Sequence, residues 1–206
     1  MESCTIYRHD PLLYDPHESH AIKWVNFLSQ KHPEIYYHCV RVAILADKMA
    51  ILLNLTNNDR RNLVIGCFMH DIGKSFIPKQ IIKQKEPLTK GQWNIVKLHT
   101  IVGAEMIEPG CGLNPSSIDV IRCHHEHWNG KGYPNNLAGD QIPFFARICS
   151  ILDSFDAMVS GRPYKPKMTL EEAKAELLLH RGSQFDAKLV NLFVCSNIVQ
   201  NYYSTK

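Results

Sequence analysis

Apolar residues recur at spacings of three and four through most of the 206-residue chain, and no apolar–polar alternation persists long enough to make a strand. That periodicity predicts an all-α fold. Helix start and stop signals divide the pattern. One helix is expected from about Glu34 to Leu53, with Val40, Ile44, Met49 and Leu52 on or near the inward face. A second follows a Thr56 cap, with Leu63, Val64, Cys67 and Phe68 inward, and stops at Gly73. Pro78 opens a short helix through Ile82, and Thr89 with Gln92 spells a capping box for a helix running to about Ile107. Asn114-Pro115 starts another that reaches His124. The Gly-, Pro- and Asn-rich stretch 128–141 reads as loop, and Pro143 opens a helix to about Val159. Thr169 with Glu172 caps a helix to His180, and a last amphipathic helix is expected from about Asp186 to Tyr202. Ahead of these, Ala21–Gln30 reads as a packing helix preceded by a loose end.

The length suits a single domain with a short appendage, since a domain takes roughly 100–200 residues. At 45% hydrophobic and 21% charged residues, the chain is neither disordered, collagen-like nor a coiled coil. A net charge of +3 with no obvious basic cluster gives no reason to expect a nucleic-acid polymer or a membrane as partner. The N-terminus has neither the plan of a signal peptide nor a membrane-spanning stretch, which points to the cytoplasm. Seven cysteines without a CxxC pair read as reduced thiols in helical patterns, not as a disulfide framework or a zinc-thiolate site.

Eleven histidines are about twice an ordinary share, and their placement matters more than their number. Glu34, His38, the pair His70-Asp71, His99, the pair His124-His125 and Asp153 are distributed so that successive groups lie 25 to 32 residues apart. Each interval is about one helix plus its connection, so antiparallel helices can return every group to a shared interior. Glu34 and His38 stand one turn apart on one face, as do Asp153 and Asp156. Imidazoles with carboxylates and no thiolates suit iron, manganese or zinc, and a carboxylate such as Asp71 can bridge two cations. Two cations held together clamp a phosphate and supply a hydroxide for in-line attack. His9, His17, His20, His32, His127 and His180 read as ordinary surface or packing histidines.

Three runs in this order and spacing, HDIGKSFIP, HHEHWNGKGYP and ARICSILDSFDAMVSGRPYK, resemble the HD-GYP subgroup of the HD metal-dependent phosphohydrolases. The resemblance covers about Glu34 to Asn201, including the GYP run Gly132-Tyr133-Pro134. It implies a single-domain helical bundle of the HD type with a metal centre between helices. It also implies hydrolysis of cyclic di-GMP to linear pGpG, and in some members onward to GMP, by attack of a metal-activated hydroxide on phosphorus. By the same resemblance His38, His70, Asp71, His99, His124, His125 and Asp153 match metal ligands, with Asp71 as the bridge and a catalytic residue. Glu34 matches a glutamate that some members use for a third metal. The implied cofactors are two or three divalent transition-metal ions, iron or manganese ahead of nickel or zinc. Lys74 matches the lysine placed near the scissile phosphate, and Arg162 and Lys165 match residues that contact the dinucleotide. Tyr133 reads either as a packing aromatic or as a ligand contact, and Asp156 as a group that orients a ligand or a basic partner.

The family commonly has an arginine and an aspartate where this chain has His127 and Asn129. Neither position matches a metal ligand, so the centre is expected intact while the loop's contacts differ. A phosphodiesterase for 3′,3′-cyclic GMP-AMP is the alternative enzyme. A non-catalytic module binding a dinucleotide, or a signalling protein through the GYP loop, is the alternative outside catalysis, and a mixed-valence di-iron oxygenase is disfavoured by the phosphate-binding lysines and arginine. Residues 34–201 are the expected catalytic domain, with 202–206 as a tail. The 33 residues in front are too few for a receiver or sensor domain.

Overall fold

The computed structural model describes residues 19–107, 112–161 and 167–200. Among these every extended element is a helix, apart from two isolated bridges at Asn129–Ala138 and Arg181–Phe185. The helices are α1 (Ser19–Lys31), α2 (Pro33–Leu52), α3 (Asn57–Met69), α4 (Lys79–Ile82), α5 (Lys90–Lys97), α6 (His99–Ile107), α7 (Pro115–Cys123), α8 (Phe144–Ser160), α9 (Leu170–Leu179), α10 (Ala187–Cys195) and α11 (Asn197–Gln200). None is long and apolar enough to cross a membrane.

Local chemistry sets most helix starts. Pro33 occupies the first turn of α2, where its missing N–H costs nothing. Thr56 accepts from the Asp59 N–H, and the capping boxes Thr89–Gln92 and Thr169–Glu172 are both formed. Asn114 caps α7 by accepting from the Ser116 N–H, and Asp186 caps α10 by accepting from Lys188.

Two large apolar clusters and a small third one, Cys123, Ile142 and Ala146, form the core among the described residues. Val42, Leu45, Met49, Leu63, Val120, Phe155, Phe193 and Val199 belong to the largest. Leu28, Ile35, Cys39, Met69, Ile72, Ala104, Ile107 and Ile121 belong to the second. Each fully buried aliphatic side chain stabilises by roughly 1.5–3 kcal/mol. Helices α2, α3 and α7 contribute to both large clusters, so their ends are fixed from two sides. Four of the described cysteines, Cys39, Cys67, Cys123 and Cys149, are buried and free, and Cys195 is free and exposed.

The structure corrects four local expectations. The inward face of α2 is Ile35, Cys39, Val42, Ala43, Leu45, Ala46, Met49 and Ala50, while Ile44 and Leu52 are exposed. This helix is apolar nearly all round, so periodicity alone does not select a face, and the small residues Cys39, Ala43, Ala46 and Ala50 allow the close approach. Helix α3 ends at Met69 instead of running to Gly73, and residues Ile72–Phe76 form a 3-10 turn. The expected Thr89–Ile107 helix breaks at Leu98, because the His99 ring Nδ1–H donates to the Val96 carbonyl at 2.6 Å and the Thr100 hydroxyl to the Lys97 carbonyl at 3.1 Å. A continuous helix would give both carbonyls to backbone N–H groups. The last helix divides at Ser196, whose hydroxyl donates to the Phe193 carbonyl at 2.7 Å and accepts from the Ile198 N–H at 3.3 Å.

Candidate metal centre

Five segments deliver the titratable side chains. His38 comes from α2, His70-Asp71 from the turn that ends α3, His99 opens α6, His124-His125 follows α7, and Asp153 and Asp156 lie on α8. The approach of the HD turn to α6 depends on Gly73, where a Cβ would stand 2.0 Å from the His99 carbonyl oxygen. Only glycine lets Asp71 and His99 face each other at this distance.

The hydrogen bonds of the imidazoles fix their tautomers. Nδ1–H of His70 donates to the Cys67 carbonyl at 2.7 Å, Nδ1–H of His99 to Val96, and Nδ1–H of His124 to Ile121 at 3.0 Å. In a neutral ring the proton on Nδ1 leaves a bare lone pair on Nε2. The Nε2 atoms of His99 and His124 then face each other at 3.3 Å, with Asp71 Oδ1 at 3.4 Å from the first and 3.9 Å from the second. Three acceptors converge there without a donor. The buried atoms Asp71 Oδ1 and His70 Nε2 have no hydrogen-bond partner, a costly arrangement unless a cation satisfies them. One ligating atom from each of Asp71, His99, His124 and His125 falls within a 4.8 Å group, and His38, His70 and Asp71 form a second such group. Asp71 belongs to both. Nitrogen and carboxylate donors in this arrangement fit a pair of transition-metal ions sharing one carboxylate.

Electrostatics divides the centre in two. Burial holds His99 at a pKa of about 4 and His124 at about 3, and it pushes His125 well below the usual value, helped in each case by neighbouring cationic groups. These rings stay neutral and ready to ligate. Burial also depresses His38 and His70, but Asp153 and Asp156 raise His38 and Asp71 raises His70, so both end above the ordinary value. Burial raises Asp71 and Asp153, yet Lys74 and His70 hold Asp71, and His38 holds Asp153, well below the carboxylate range. Two buried carboxylates thus demand positive charge on the His38–His70 side, and either protons or cations supply it.

Asp153 Oδ1 lies 2.9 Å from His38 Nε2 and 3.8 Å from His70 Nε2. Asp156 is buried and accepts from Nδ1–H of His38 at 2.6 Å. Lys74 donates to Asp71 Oδ2 at 2.6 Å. Tyr133 packs its ring on His125 at 4.9 Å and 30°, with Lys97 Nζ 5.9 Å from its centroid, so the packing aromatic also walls the site. Glu34 is not drawn into either ligating group; its carboxylate lies 3.6 Å from His32 Nδ1. Arg162 and Lys165 lie outside the described residues.

Two residues escaped the sequence reading. Arg41 forms a two-pronged bond with Asp156. Glu126 is buried inside the HHEH run and accepts from the N–H groups of Asn135 at 2.6 Å and Leu137 at 3.0 Å, tying the GYP loop to the histidine pair. An acid ahead of a Gly- and Asn-rich loop was the available signal for Glu126.

Residues 24–189 match the HD domain family. The chain is similar to the 3′3′-cGAMP-specific phosphodiesterase 2 of Vibrio cholerae, with 34% identity over 170 residues, 82% of this chain and 33% of that protein. It is also similar to the cyclic di-GMP phosphodiesterase response regulator RpfG of Xanthomonas campestris pv. campestris, with 34% identity over 153 residues, 73% of this chain and 40% of that protein. A cyclic di-GMP phosphodiesterase of Thermotoga maritima shares 32% identity over 176 residues, 84% of this chain and 48% of that one. The chain spans between a third and a half of the length of these relatives. Among solved structures, Bd1817, a HDG"Y"P protein from Bdellovibrio bacteriovorus, superposes with a TM-score of 0.66 at 21% identity, covering 78% of this chain and 51% of that one. The PgpH HD domain of L. monocytogenes in complex with cyclic-di-AMP gives 0.65 at 20% identity, covering 89% and 96%. Both share the fold. The chain belongs to the HD domain family, and the resemblance of its motifs to the HD-GYP group holds.

Proposed function

We propose that this chain is a metal-dependent phosphodiesterase that opens cyclic di-GMP to linear pGpG, with onward cleavage to GMP as a further step. The observation that carries the reading is the convergence of proton-free acceptors from Asp71, His99 and His124, beside the orphaned His70 Nε2. The names of the relatives supply the substrate class.

His38, His70, Asp71 and Asp153 would hold one cation and Asp71, His99, His124 and His125 the other, with Glu34 in reach of a third only by turning from His32. Iron or manganese suits these donors best, with nickel or zinc next. When bound, such ions supply Lewis acidity to a phosphoryl oxygen and lower the pKa of water. In the reaction the oxygen of water bonds to phosphorus, the P–O3′ bond breaks, and the 3′ oxygen leaves with a proton. Lys74, partly exposed beside Asp71, donates to the scissile phosphate and offsets its growing charge. Tyr133, fixed against His125, limits the approach of a base or ribose. Arg162 and Lys165 would contact the dinucleotide, as the family resemblance implies. Residues 34–201 form the catalytic unit in this reading, and the GYP loop is also the surface on which a signalling protein would dock.

The mixed dinucleotide is the second reading, favoured by the cGAMP-specific relative at 34% identity. Anaerobically purified, metal-loaded protein should convert cyclic di-GMP to pGpG or GMP at least as fast as it opens 3′,3′-cyclic GMP-AMP. A faster mixed dinucleotide would reassign the substrate, and no hydrolysis of either would refute the proposal.

A further inference from the structure

Arg41 stands on α2 one turn after His38 and outside all the motifs that point to the metal centre. Its Nε donates to Asp156 Oδ1 at 2.7 Å and its Nη2 to Asp156 Oδ2 at 2.9 Å. The same carboxylate accepts from Nδ1–H of His38 at 2.6 Å, and the Ser160 hydroxyl reaches Oδ1 at 3.4 Å. His38 Nε2 then lies 2.9 Å from Asp153 Oδ1, at the edge of the group made by His38, His70 and Asp71. Asp156 is fully buried, whereas Arg41 is partly exposed at the outer end of the chain of contacts.

The imidazoles are supported unequally. His70, His99 and His124 rest on backbone carbonyls, which the helices themselves hold in place. His38 rests on a side-chain carboxylate, which can rotate about its own torsions unless something grips it. A two-pronged guanidinium bond fixes both oxygens of a carboxylate, which a single donor cannot do. We infer that Arg41 is a positioning residue for the His38 side of the centre. It locks Asp156, Asp156 locks the His38 ring with Nδ1–H outward, and Nε2 is thereby aimed at the position shared with Asp153 and His70. The inference rests on the metal-centre reading above and adds to it that affinity on one side of Asp71 is set from outside the ligand set.

The test is metal binding, not turnover. The full chain is stripped with chelator and titrated with Mn(II), and free ion is followed by its electron paramagnetic resonance signal. Wild type should bind two equivalents. Arg41→Gln should weaken one of them about 10–100-fold, the usual cost of losing a group that orients a ligand, and leave the other unchanged. Arg41→Lys keeps the charge without the two-pronged bond and should weaken that equivalent less. Circular dichroism and the urea midpoint should stay close to wild type in both variants. Unchanged binding of both equivalents in Arg41→Gln would overturn the inference, as would equal weakening of both together with a lowered urea midpoint. Absence of Mn(II) binding by wild type would overturn the metal-centre reading itself, and the inference with it.

Discussion

Burial leaves His99 and His124 neutral in the folded chain at pKa values of about 4 and 3, whereas an unfolded histidine titrates near 6.5. Between about pH 4 and 6.5 the unfolded chain therefore binds more protons than the folded one. Stability of the metal-free protein rises with pH across this window and falls as the solution is acidified from pH 6.5. His125 acts in the same direction. The raised pKa values of His38 and His70 act only above pH 6.5, and the depressed Asp71 and Asp153 only below the ordinary carboxylate range. As pH falls from 7 to 6.5 His38 and His70 offset part of this loss, but three depressed imidazoles outweigh two raised ones. Chelated protein should lose at least about 2 kcal/mol between pH 7 and pH 5, read from urea midpoints; an unchanged midpoint would contradict buried neutral rings. The cluster of histidines and aspartates that could hold a metal was legible in the sequence, from spacing that matches helix lengths and from the motif resemblance. Their tautomers were not, since each depends on which carbonyl or carboxylate the second nitrogen meets. The His38–Asp156 contact spans 118 residues, and the Arg41–Asp156 bond spans 115.

At the scale of elements, the sequence marks where helices begin better than where they pause. Thr56, Thr89, Asn114 and Thr169 cap as their motifs require. The breaks at Leu98 and Ser196 arise from side chains that take over backbone partners, which periodicity does not record. The break at Leu98 matters most, because the helix that follows it opens on His99, whose Nε2 lies 3.4 Å from Asp71 Oδ1. The contact of the HD turn with α6 offers a direct check. Gly73→Ala places a Cβ 2.0 Å from the His99 oxygen and 2.8 Å from the Gly103 nitrogen, both backbone atoms that cannot yield cheaply. The expected cost is about 1–3 kcal/mol or more, together with weaker metal binding. Gly91→Ala, in α5 with nothing within 4 Å of the new methyl, should be neutral or stabilise by up to about 1 kcal/mol. Equal denaturation midpoints for the two variants would show that the turn does not pack on α6 as described.

For the whole molecule, the all-α class followed from the periodicity, and the gathering of the His and Asp side chains followed from the residue spacing. The packing directions did not, because α2 carries apolar residues on nearly every side and its neighbours decide which are covered. The candidate centre joins α2, the end of α3, α6, the end of α7 and α8, segments that also meet through the apolar clusters. A ligand bound only by the folded state stabilises it by about 2.7 kcal/mol at a concentration 100 times its Kd. In a chain of this size that corresponds to roughly 5–10 °C in Tm. Anaerobic titration of the stripped protein with Fe(II) or Mn(II), following Tm and cyclic dinucleotide hydrolysis in the same samples, joins fold, site and chemistry in one measurement. Tm should rise by several degrees, hydrolysis should appear as the second equivalent binds, and Asp71→Asn should lose both. Full hydrolysis by stripped wild type, or by Asp71→Asn, would contradict metal-dependent hydrolysis at this centre.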